Sequence, residues 1–178
     1  MRHIGIALFS AAIAISQPAF AGVKVLGFEI GTSSVSDVSN ELIKKTKVER
    51  AGINKFSRGQ MLETDGSSYD IDGLQSVTYI FDENSKLMGV IMTMGSHKFD
   101  SVNSYLSSKY KLVSKQDPFV GDKYAKFKAE NVTIEQDAPH MGGFKMEVRY
   151  VRNDLVARYN QKTDQETRQK KASESSKF

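Results

Sequence analysis

Two Asp–His pairs have the residue types for chemistry. His97 stands three residues before Asp100, and Asp137 three before His140. A carboxylate and an imidazole can share a metal ion, but catalytic zinc takes about three protein ligands and structural zinc about four. The chain has no cysteine, so such a site would have to combine both histidines with carboxylates, and surface histidines are the plainer expectation. A Ser-His-Asp nucleophile is not indicated either, because no G-x-S-x-G turn is present. Glu63 with Asp65 and Asp70 with Asp72 are close carboxylates, but they lie in a polar Gly/Ser stretch that reads as loop. The segment FEIGTSSVSDVSNELIKK, residues 28–45, has the outline of a phosphate cradle. A phosphate loop needs several glycines and a Lys-Ser/Thr pair; here Gly31 stands alone and no basic residue comes before Lys44. The expectation is therefore a protein that is not an enzyme, with no catalytic residue, metal or cofactor.

The same segment is more informative about architecture. Val35, Val38 and Leu42 are spaced as one face of a helix. Thr32 or Ser34 can cap it, and Asp37 and Lys44–Lys45 suit the two ends of its dipole. Phe99, Val102 and Leu106 repeat the spacing 64 residues later, and Val48 is matched in the same way by Leu112. Self-similarity at a fixed offset points to a structural repeat. Strand patterns follow each helix. After the first come KVERAGI, LQSVTYIFD and KLMGVIMTM, the last two joined by a turn at residues 82–85. After the second come KLVSKQD, KYAKFKA, VTIEQDA and FKMEVRYV. In the last of these Phe144, Met146, Val148 and Tyr150 alternate with Lys145, Glu147 and Arg149, which predicts one wet face. The predicted fold is α+β, with two tandem helix-then-antiparallel-strand units, residues 28–94 and 95–151, forming one sheet with the helices on one face. The other face, bearing charges and tyrosines, is expected to stay open.

The ends frame a single domain at residues 22–151. Met1-Arg2-His3, an apolar run to Ile15, Pro18 and Ala19-Phe20-Ala21 have the form of a secretory signal peptide cut near Ala21. This predicts a periplasmic or secreted protein without a membrane span. Gly22 rather than Cys follows the cut, so no lipid anchor is indicated. The tail, residues 152–178, is expected to be polar helix or disorder. It carries seven basic and four acidic residues, an excess of +3, against a formal charge of +4 for the whole chain. A near-neutral body argues against nucleic acid as partner, while the basic tail suits at most weak contact with an anionic surface.

The chain from Asn54 to Gly73 reads as a long polar loop that carries Phe56, Met61, Leu62, Tyr69 and Ile71. Apolar and aromatic residues on a loop are candidate partner anchors, and these five are the predicted partner-binding residues. The tandem helix-and-sheet plan resembles the beta-lactamase inhibitor proteins. Gly31-Thr32-x-x-Val35-x-x-Val38 resembles the small outer-membrane assembly lipoproteins. The chain lacks the disulfides of the first and the lipidated cysteine of the second. What these resemblances imply is a protein-binding scaffold. The expected function is an exported, non-enzymatic module of the cell envelope that binds a protein or peptide. The alternatives are an inhibitor or immunity protein against a secreted enzyme, or a carrier of an apolar small ligand in a cavity lined by Met88, Met92, Met94 and Phe99.

Overall fold

The computed structural model describes residues 22–178. The predicted leader, residues 1–21, lies outside the described residues. The chain opens on a hairpin of β1 (Lys24–Val25) and β2 (Phe28–Glu29), turned by Leu26 and Gly27. Both turn residues have positive φ, 52° and 91°; a two-residue hairpin demands this, and glycine meets the demand more easily than leucine.

Helix α1 (Val35–Leu42) begins at a reciprocal cap: the Ser34 hydroxyl accepts from the Asp37 N–H at 3.2 Å, and the Asp37 carboxylate accepts from the Ser34 N–H at 2.9 Å. The bonds from Ser34 hold the Asp37 carboxyl below its ordinary range. Then follow β3 (Val48–Ile53), β4 (Arg58–Asp65), a 3-10 turn (Gly66–Tyr69), β5 (Leu74–Asp82) and β6 (Leu87–Gly95). After α2 (Phe99–Lys109) come β7 (Lys111–Gln116), β8 (Lys123–Ala129), β9 (Val132–Ala138) and β10 (Lys145–Arg152), and the described chain ends with α3 (Asn153–Ser175).

The fold is α+β around a large antiparallel sheet. Its eight strands run in the order β3-β4-β5-β6-β10-β9-β8-β7. At the centre β6 meets β10, with Val90 facing Tyr150 and Met92 facing Val148. The edges are β3 and β7, and β7 is exposed along its whole length.

Side chains divide between two clusters. Tyr79 and Phe81 join the larger one, with Val38 and Leu42 of α1 and Phe99 and Leu106 of α2. Ile80, between them in sequence, joins the smaller one with Met88 and Leu155 of α3. Each fully buried Leu, Val or Phe contributes about 1.5–3 kcal/mol relative to exposure. One polar group is wholly buried on the α2 side: the Gln136 amide donates to the Phe99 carbonyl at 2.7 Å and accepts from the Asn103 amide at 3.2 Å.

Three expectations need correction. The stretch 54–73 is not one long loop, because β4 and the 3-10 turn occupy most of it. The inward side of β4 is made of small or polar residues, Gly59 and Thr64 beside Leu62, so little alternation shows. Gly59 is required there: a Cβ would collide with the Phe81 carbonyl. Phe144 does not continue the alternation of β10. It precedes the strand at φ 61°, after Gly143 at 66°, and is exposed. Finally, the sheet is not bare around Ile80 and Met88, because Leu155 of α3 packs with them.

Candidate binding surfaces

The five predicted anchors separate once folded. Leu62 is buried in the larger cluster. Tyr69 is partly buried, and its hydroxyl bridges the Thr64 hydroxyl at 2.7 Å and the Tyr79 hydroxyl at 3.0 Å, pinning the 3-10 turn. Burial pushes the Tyr79 hydroxyl well above its ordinary pKa, so it stays protonated. Phe56 and Met61 pack in the smaller cluster. The Phe56 ring meets Tyr159 of α3 edge-on, 5.0 Å between centroids, and the Lys55 and Lys162 ammonium groups lie 4.7 and 5.7 Å from its centre. These four are structural contacts. Ile71 alone is exposed.

Other apolar residues, missed by periodicity, are far more exposed. Phe119 and Val120 lie between β7 and β8, and Met141 and Phe144 between β9 and β10. Their relative exposures are 103%, 67%, 91% and 88%. The antiparallel register brings both connections to one end of the sheet, where Lys123 pairs with Ala138. The His140 N–H donates to the Asp122 carboxylate at 2.7 Å and ties the two loops together. The Ser96 N–H donates to the Phe144 carbonyl at 2.8 Å, and the Gly95 N–H to the Gly73 carbonyl at 3.1 Å. That chain of bonds links the loop of Phe144 to the loop of Ile71. Single exposed apolar side chains are ordinary; here five stand on fastened loops at one end. One signal was available: both loops bracket their apolar residues with Pro and Gly, in Pro118-Phe119-Val120-Gly121 and Pro139-His140-Met141-Gly142.

A charged lattice lies on β8, β9 and β10. The Arg149 guanidinium donates to Glu147 at 2.9 Å and to Asp137, and lies 3.5 Å from Glu135. Lys126 reaches Glu135 at 3.2 Å, and the Tyr124 hydroxyl donates to the same carboxylate at 3.0 Å. Burial, then the Glu135 charge, pushes Tyr124 up to about 12.

Beside α2 lies a cleft of about 440 Å³, lined in part by Met92, Met94, Val102 and Tyr150. Of the four residues expected around an apolar cavity, Met92 and Met94 line this one. Met88 belongs to the other cluster, and Phe99 is buried beneath the surface. The irregularity between Ile80 and Phe81 in the β5–β6 register explains Met88: a bulge shifts the parity of β6, so Met88 and Val90 point to opposite sides.

Among the described residues, no three His, Asp or Glu side chains come together where they could hold a metal ion. His97 and His140 are both exposed. No described helix is long and apolar enough to cross a membrane. Compared with known protein families, curated proteins and solved structures, the chain matches none.

Proposed function

We propose that the protein is an exported, non-enzymatic protein-binding module of the cell envelope. Its partner is a protein or peptide seated on the loop end that carries Ile71, Phe119, Val120, Met141 and Phe144. The observation that carries this is the exposure of two phenylalanines and a methionine on loops fastened to one another. Aromatic and Met anchors are enriched at interface centres, and polar rims surround them. The lattice around Arg149 supplies such a rim at the same strands. Phe144 adds backbone strain, and strained residues persist where the surroundings hold them for a purpose.

The finer architecture belongs to the same proposal. We read the sheet as two tandem units, each a helix followed by four strands, with α1 and α2 on one face. The starts of α1 and α2 are 64 residues apart, and those of β6 and β10 are 58 apart. Eight residues join β4 to β5, but two join β8 to β9. The difference of six accounts for the change in offset, and the extra residues carry Tyr69 and Ile71. This arrangement is similar to the plan of the beta-lactamase inhibitor proteins.

The test is capture from an envelope extract with the protein and with a Phe119→Ser, Met141→Ser, Phe144→Ser variant. One stoichiometric partner should be recovered by the first and lost by the second, with the thermal midpoint unchanged. Equal recovery by both would place the interface elsewhere.

A further inference from the structure

We propose that the cleft beside α2, whose lining shares Ile71 with the proposed partner surface, binds a single-chain amphiphile with an anionic head, of the fatty-acid type. The chamber is apolar on three sides. Met92 and Met94 of β6 and Val148 of β10 form its floor, Val102 and Leu106 of α2 its wall, and Val25 and Leu26 of the β1–β2 hairpin its cover. Its volume falls in the range of small-ligand sites, roughly 300–1,000 Å³, which are mostly apolar with a few placed polar groups.

The charged groups here are mostly cationic. Lys24 and Lys109 line the cleft, and also line an adjoining groove of about 490 Å³ to which Lys111 and Lys128 are added. Tyr110 stands at the junction and lines both spaces. Among the described residues none of these four lysines has a carboxylate within salt-bridge distance. Glu130 is the one acid lining the groove, and Asp72 the one acid lining the cleft, where Lys98 holds it. An apolar chamber opening into a cationic vestibule has the polarity profile of an anionic amphiphile: the chain is removed from water while the head stays among ammonium groups. Lys109 also lies over the Tyr105 and Tyr110 rings, 6.0 and 5.4 Å from their centres, but a neutral apolar ligand would leave the cationic excess of the vestibule unmatched.

The cover supports the same occupant. Leu26 takes a left-handed backbone that bulky residues avoid. Asparagine or glycine would turn this hairpin without strain, but neither would extend an aliphatic side chain over the chamber. Leu26 thereby adds apolar surface to the cleft, while also packing against the larger cluster and beside Phe28 and Leu42.

The chain contains no tryptophan, so Tyr105→Trp on the exposed rim of α2 reports on the cleft alone. Titration with dodecanoate below its micelle concentration should give saturable, one-to-one fluorescence change, and calorimetry on the unaltered protein should return the same stoichiometry. Dodecan-1-ol should bind at least tenfold more weakly. The Lys24→Glu, Lys109→Glu double variant should lose at least tenfold for dodecanoate while still unfolding cooperatively. Absence of saturable binding by calorimetry overturns the site. Equal affinity for acid and alcohol, or indifference to the charge reversals, overturns the anionic head.

Discussion

Replacing Gln136 by leucine tests how α2 is fixed to the sheet. The substitution keeps the volume of a side chain that is wholly buried but removes all its polar contacts. Asn103, itself 7% exposed, then has no acceptor for an amide now held at 3.2 Å, and the Phe99 carbonyl loses a donor at 2.7 Å. A stranded buried donor costs about 1–3 kcal/mol, and a lost neutral hydrogen bond about 0.5–1.5 kcal/mol. The carbonyl keeps its helical partner and the leucine gains from burial, so the net loss should be about 2–3 kcal/mol. For a domain of this size that lowers the thermal midpoint by roughly 5–10 °C. Adding Asn103→Leu removes the stranded amide and should restore about 1 kcal/mol or more, because neighbours that share one bond are not additive. Urea denaturation of the two single variants and the double variant, followed by far-UV circular dichroism, measures the cycle. A Gln136→Leu variant within 0.5 kcal/mol of the parent, or a double variant equal to the sum of the singles, would refute the polar pin.

Three further outcomes are expected. Tyr124 is raised from an ordinary 10.0 to about 12 in the folded chain, so the unfolded chain loses this proton first. Its contribution is complete below pH 10 and is lost as pH climbs through 12; Tyr124→Phe should flatten that part of the stability curve, and an unchanged slope would refute it. Leu155→Ala should cost about 2–4 kcal/mol through the cavity it leaves. Removal of residues 161–178 should cost well under 1 kcal/mol, because it deletes the Lys162–Phe56 contact and an exposed Lys55–Glu166 pair. A midpoint drop after truncation as large as that of Leu155→Ala would show the far end of α3 to be packed.

Much of the frame is legible in the sequence because periodicity reports burial directly. Val38 with Leu42 and Phe99 with Leu106 occupy the buried sides of their helices, and Ala125 with Phe127 and Met146 with Val148 the buried sides of their strands. The failures have separate causes. In β4 the buried positions hold glycine and threonine, which carry no hydrophobic signal. At Met88 a bulge breaks the parity on which alternation depends. At Phe144 a left-handed turn cuts the residue off from the strand whose pattern it continues. Phe119 and Met141 show the deeper limit: an apolar residue in a loop has the same letter whether it is buried or bare, and only the pairing of distant strands brings those loops together. The cleft is illegible for the same reason, since its floor, wall and cover come from four separate parts of the chain.

The bare edge at β7 has a consequence for how large the sheet can grow. Unpaired N–H and C=O groups along Lys111–Gln116, with Leu112 and Val113 exposed beside them, form a template onto which a second copy could add its own strand. Lys111 and Lys115 bracket the two apolar residues, and the register with β8 breaks between Leu112 and Ser114. An antiparallel copy of β7 centred on Val113 would set Lys111 against Lys115, whose charge is shared with Asp117 at 2.9 Å, and would meet an irregular register. Lys111 and Lys115 thus act as gatekeepers that oppose growth at the β7 edge.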